Sequence, residues 1–248
     1  MRPTETGMDD HNIEFHRKPQ QREPVFNLPA VIVWMVAALV AIHAVRVFLL
    51  PLATDNWLIL VFAFIPARYG VDAVQLPVQL AALWSPVTYA FLHGGWSHLF
   101  MNCLWGVAFG SPVARRLGPG KFLALGLIAA IAGAGAHYLF YPGEMVPVIG
   151  ASAVVSGYMG AAARFAFRPH KRGLLNVEGP AMTLTESFAN SRFLIFLLVW
   201  LGLNLLFGSG IVIIDGQSAD IAWQAHIGGF LAGVFGFSLF DRSPQPVN

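Results

Sequence analysis

From Pro29 to Leu50 the chain carries one charged side chain, Arg46, in an otherwise apolar run. As a helix rising about 1.5 Å per residue, that run crosses a hydrocarbon core of about 30 Å. Further apolar runs lie at about 95–114, 121–141, 149–168, 193–214 and 221–240. Hydrophobic residues fill 56% of the 248 positions and charged residues 11%, against about 25% charged in an ordinary soluble domain. This deficit predicts an all-α membrane protein with six transmembrane helices.

The expected organisation is a polar N-terminal tail (1–28), a six-helix membrane domain (29–240) and a short C-terminal tail (241–248). The first tail lacks an apolar stretch followed by a small-residue cleavage site, so it reads as a cytoplasmic tail rather than a signal peptide. The single cysteine, Cys103, excludes an intramolecular disulfide and a cysteine-rich metal site. It is expected to be a small packing residue. His43, inside the first run, is given no functional role.

Residues 51–94 read as a long loop lying on or in one leaflet. Trp57–Ile65 is apolar but too short to span. Trp57, Tyr69 and Trp84 suit the headgroup region as aromatic anchors. Gly94-Gly95 predicts a break before the next helix. Between the last two spans, Asp215–Asp220 is read as a tight turn, with Asp220 as a helix cap.

Orientation follows from the basic residues. With the N-terminus inside, 13 of the 15 Lys and Arg residues fall in inside segments or at their helix ends. Only Arg46 and Arg68 fall outside. The positive-inside rule then makes both termini cytoplasmic.

Three polar groupings lie within the apolar runs. In Gly150-Ala151-Ser152-Ala153, the serine sits near the outer end of its span, and small neighbours permit close helix packing. Packing alone would account for a serine there. His226 enters from the same side at similar depth, three residues before the Gly229-xxx-Gly233 close-approach motif. If that glycine face meets the small-residue face of the fourth span (Gly157, Gly160), Ser152 and His226 come together. A neutral imidazole can then serve as general base to the hydroxyl. His98 and Asn102, four apart, share one helix face. They suit either oxyanion stabilisation or a structural pair between helices. A zinc site fits poorly, because the i+4 partner is asparagine and the glutamate of a His-Glu-x-x-His motif is missing. His93 reads as a structural loop group.

Phe91-Leu92-His93-Gly94-Gly95-Trp96-Ser97-His98 through Asn102, Gly150-Ala151-Ser152, and Ala225-His226-Ile227-Gly228-Gly229 with Gly233 together resemble the rhomboid family of intramembrane serine proteases. Phe64-Ile65-Pro66-Ala67-Arg68 adds to the likeness. The resemblance implies a six-helix rhomboid-like bundle with a membrane-associated first loop. It implies Ser152 as nucleophile, His226 as base, and His98 and Asn102 as oxyanion stabilisers with the Ser152 amide. The chain departs from the family pattern at Ala153, where glycine is usual, at Ser156, where some members carry an aromatic, and at Ser85, where an arginine often follows the loop tryptophan.

The expected function is cleavage of transmembrane segments of partner membrane proteins near the outer face. No metal or cofactor is implied. The expected partners are substrate helices and the lipid bilayer, not nucleic acid, and the expected location is a bacterial inner membrane. The alternative is a non-proteolytic rhomboid-like protein that binds helices without cutting them. Such relatives lack the serine or the histidine, and both are present here. A transporter would predict inverted repeats with paired broken helices, and none is visible.

Overall fold

The computed structural model describes residues 27–70, 73–168, 179–209, 213–214, 217–218 and 221–241. Most of both expected tails, residues 169–178 of the 169–192 loop, and Asp220 lie outside the described residues. The architecture is helical. The long helices are α1 (Ala30–Leu49), α4 (Trp96–Leu117), α5 (Pro119–Phe140), α6 (Ser152–Ala166), α8 (Ser191–Gly208) and α9 (Trp223–Phe240). Shorter ones are α2 (Leu52–Phe62), α3 (Ser85–Thr88) and α7 (Leu184–Ala189).

Helices α1, α5 and α8 are each long and apolar enough to cross a membrane by length and composition. The chain is therefore an integral membrane protein. Helix α6 is shorter, at 15 residues, while α4 and α9 carry polar side chains such as His98, Asn102, Gln224 and His226. Helix α6 is central, with 11 of its 15 residues buried, and it packs on α4, α5 and α9. Its interior position explains its composition, because a helix surrounded by helices needs small residues more than lipid-facing ones.

The 51–94 stretch is folded rather than an open loop. It holds α2, α3 and three 3₁₀ turns, at Pro66–Arg68, Gln79–Ala82 and Tyr89–Phe91. Two of its three expected headgroup anchors also brace this segment. The Tyr69 hydroxyl is 2.8 Å from Ser85 Oγ and donates to Ala82 O at 2.9 Å. Trp84 Nε1 donates to Val61 O at 3.2 Å. The third, Trp57, is exposed. The two basic residues that fall outside the expected inside segments have local partners here. Arg46 donates to both Asp55 carboxylate oxygens, at 2.7 and 3.2 Å, and to His93 O at 2.9 Å. Arg68 donates to the carbonyls of Leu60, Pro77 and Val78. Both arginines are buried, and these bonds offset the cost of burial.

Other boundaries shift. The fifth helix ends at Gly208 rather than 214, and the two-residue strands Ile213–Ile214 and Gln217–Ser218 pair antiparallel beyond it. The connection is thus longer than a tight turn. The N-cap of α9 is Ala222, with no side-chain cap bond. Gly95 does precede α4, as its N-cap. Cys103 is half-buried against Leu39, Leu99, Ala151 and Val155, as a packing residue should be.

Candidate active site

The chain enters α6 through a short extended segment held on three sides. Phe64 and Val148 exchange backbone hydrogen bonds at 3.1 and 2.8 Å. Gly150 N donates to Tyr89 O at 3.0 Å, and Ala151 N donates to His93 Nε2 at 3.4 Å. The first loop therefore fixes the turn before Ser152. Ser152 is the first residue of α6. At that position its amide has no carbonyl one turn earlier within the helix, and it is free to bind an incoming acceptor.

Gly150 has φ +120°, a conformation that favours glycine. It also lies close to α4. A Cβ there would be 2.7 Å from His98 Nε2 and 3.8 Å from Asn102 Nδ2. His98 and Asn102 are thus beside the turn that leads into Ser152. Gly94 N donates to His98 Nδ1 at 3.4 Å. A neutral imidazole holds one proton, so His98 Nε2 carries it and faces this turn as a donor. Asn102 Nδ2 donates to His98 O at 3.0 Å, and the asparagine is buried.

Helices α6 and α9 touch along glycines. A Cβ on Gly229 would collide with the carbonyl of Ala153, and one on Gly233 with the carbonyl of Gly157. The steps 153 to 157 and 229 to 233 run together, so the helices are parallel. Ser152 and the Ala225-His226 turn therefore lie at the same end of the bundle. Gly157 and Gly160 are close-packing residues, as expected: a Cβ on Gly157 would be 2.5 Å from the Ala129 Cβ, and one on Gly160 would strike the Phe230 carbonyl. His226 is the fourth residue of α9. Both Ser152 and His226 are half-buried. Among the described residues they share no hydrogen bond. His226 Nδ1 instead lies 2.6 Å from Asn204 Oδ1 on α8.

The structure accounts for one departure from the family pattern. Ala153 lies inside α6 with no positive φ and is fully buried. Its methyl is accommodated by Gly133 on α5, where a Cβ would be 2.5 Å from the Ala153 Cβ. Ser156 is likewise buried. Sequence reasoning passed over Gly133, Tyr89 and Asn204. Asn204 carried a signal, as a lone amide in the apolar run Leu197–Phe207.

A polar cluster of serine, histidines and asparagine at one end of a helical bundle defines a class: an integral membrane protein with a hydrogen-bonding site among its helices. The family model for the Rhomboid domain matches residues 80–242, and the chain belongs to the rhomboid family. It is similar to the rhomboid protease GlpG of Serratia proteamaculans (strain 568), with 31% identity over 166 residues covering 67% of this chain and 51% of that protein. It is also similar to the rhomboid protease GluP of Bacillus subtilis (strain 168), with 30% identity over 154 residues covering 61% of this chain and 25% of that protein. The chain thus spans about half of the first relative and a quarter of the second.

Proposed function

We propose that this protein is an intramembrane serine endopeptidase, cutting transmembrane segments of partner membrane proteins near the outer face of the bilayer. Ser152 Oγ attacks the scissile carbonyl while His226 Nε2 takes its proton. The tetrahedral oxyanion accepts hydrogen bonds from the Ser152 amide, His98 Nε2 and Asn102 Nδ2. His226 then returns the proton to the leaving amine, and water hydrolyses the acyl-enzyme. The observation that carries this reading is the α6–α9 glycine contact, with Gly229 against the Ala153 backbone. The site of His98 Nε2 beside Gly150 supports the oxyanion assignment. The open Ser152–His226 bond is compatible with it, because catalytic hydrogen bonds often tighten only with substrate bound.

In this reading all six long helices span a membrane, residues 29–240 form the membrane domain, and the flanking tails 1–28 and 241–248 face the cytoplasm. The proposed setting is a bacterial inner membrane. Substrate helices must unwind locally before attack, since helical carbonyls are already hydrogen-bonded. Small or helix-breaking residues near the outer surface favour that. The two relatives are both named proteases, which supports hydrolysis over binding alone.

The test is cleavage of a single-helix reporter in proteoliposomes by wild type, Ser152→Ala and His226→Ala. Cleavage is expected from wild type alone. Equal cleavage by either variant would sink the assignment.

A further inference from the structure

We propose that Asn204 is the positioning residue for His226, holding its ring in the tautomer that leaves Nε2 without a proton; this rests on the hydrolase reading above. Helix α8 buries only two side chains, Phe193 and Asn204. Phe193 sits in an apolar cluster with Met182 and Phe230. Asn204 is an amide placed well inside an apolar helix, where a polar group is costly unless bonded. It is bonded at both ends. Nδ2 donates to Trp200 O at 2.8 Å, and Oδ1 lies 2.6 Å from His226 Nδ1.

These two bonds fix the chemistry. The amide end facing the Trp200 carbonyl must be the NH₂ group, so the end facing the imidazole is the oxygen. An amide oxygen only accepts, so His226 Nδ1 carries the hydrogen. A neutral imidazole has one such hydrogen, which leaves Nε2 with a free lone pair. His98 has the opposite arrangement, with Nδ1 accepting from Gly94 and Nε2 protonated. The two rings are thus set as a base and a donor by their outer partners.

The contact is held mechanically as well. One turn along each helix, Trp200 on α8 stacks on Phe230 of α9, with ring centroids 4.3 Å apart. Residues 200 and 204 therefore face 230 and 226 across an antiparallel pair. Among the described residues the His226 side chain makes no other hydrogen bond and stacks on no aromatic ring. Without Asn204 its ring could turn about χ2 and present either nitrogen. When Nε2 takes the Ser152 proton, the ring becomes an imidazolium that still donates Nδ1–H to Asn204. The same Nε2 proton then passes to the leaving amine, so the amide neither gains nor loses one.

The experiment uses the full chain in lipid nanodiscs with ¹⁵N-labelled histidine, the His226 signals being assigned by their loss in His226→Ala. A fluorophosphonate probe separately reports the rate of Ser152 phosphonylation. Wild type is expected to show Nδ1 protonated and Nε2 bare. Asn204→Leu, near in size but without an acceptor, is expected to lose that tautomer and to slow labelling by about ten- to a hundredfold, the scale of a lost orienting hydrogen bond. Asn204→Asp, which keeps an acceptor oxygen, is expected to restore most of both. An Nε2–H tautomer in wild type overturns the proposal whether or not any variant folds. Unchanged labelling and tautomer in a folded Asn204→Leu also overturns it. If wild type shows the expected tautomer but Ser152 never labels, the positioning contact is upheld and the hydrolase reading fails.

Discussion

His98 Nε2 lies where a side chain on Gly150 would have to go, 2.7 Å from the position of an added Cβ. Gly150 also has φ +120°, which disfavours any other residue. Gly150→Ala is therefore expected to destabilise the protein by about 1–3 kcal/mol, the cost of a strained backbone. It is also expected to push His98 away from the turn before Ser152. Thermal unfolding in detergent measures the first effect and reporter cleavage the second. A variant as stable and active as wild type would show that this approach is not needed.

The Ala153 methyl and the bare Cα of Gly133 form a matched pair across α6 and α5. Gly133→Ala is expected to overpack this contact at a cost of about 1–3 kcal/mol. It should also crowd the Ala225 carbonyl and the Tyr89 hydroxyl, which lie 2.9 Å from the added Cβ position. Ala153→Gly in the same chain is expected to recover part of the loss. A double-mutant cycle of unfolding free energies checks this, and strict additivity would contradict it.

Removing either proposed oxyanion donor is expected to act on turnover. Asn102→Ala and His98→Ala should each lower kcat by about 10²–10³-fold, with a smaller effect on KM. Steady-state kinetics on the single-helix reporter separate the two parameters. A rise in KM with kcat intact would assign these residues to ground-state binding instead.

Arg164 is buried at the opposite end of α6, where it donates to Met182 O at 2.6 and 2.9 Å and to Val234 O at 2.6 Å. It also reaches Ser238 Oγ at 3.2 Å. It ties α6 to α9 and to the segment leading into α7. Arg164→Leu would leave the Met182 carbonyl without its guanidinium donors, at an expected cost of about 1–3 kcal/mol. Arg164→Lys should rescue little, because an ammonium cannot reproduce the guanidinium fork. Unfolding measurements check both, and the Tm should fall further than the specific activity of the folded fraction.

Thr183 and Glu186 form a capping box at the start of α7, with Thr183 N donating to the Glu186 carboxylate at 2.7 Å. That backbone hydrogen bond holds the Glu186 carboxyl below its ordinary range. A depressed folded-state pKa means stability that is present above the unfolded value, about 4.3, and lost as pH falls through the folded one. The wild-type advantage over Glu186→Gln should therefore shrink as pH is lowered from 6 to 3. The carboxylate is 46% exposed, so the effect is small and best read as a difference in Tm.

The sequence alone determined the helical membrane class, the approximate runs of the six long helices and the identity of the polar residues among them. Length, missing charge and glycine spacing are local properties, legible in one dimension. The α6–α9 contact was foreseeable because Gly229 and Gly233 lack the side chains that would keep backbones apart. Tertiary structure alone decided what each polar atom faces. Nothing local tells that Gly133 makes room for Ala153, that Tyr69 and Trp84 brace the first loop, or that Asn204 meets His226 rather than lipid. Those facts depend on the rotation and crossing of helices distant in sequence. A hydrogen bond is sensitive to tenths of an ångström that no spacing rule carries.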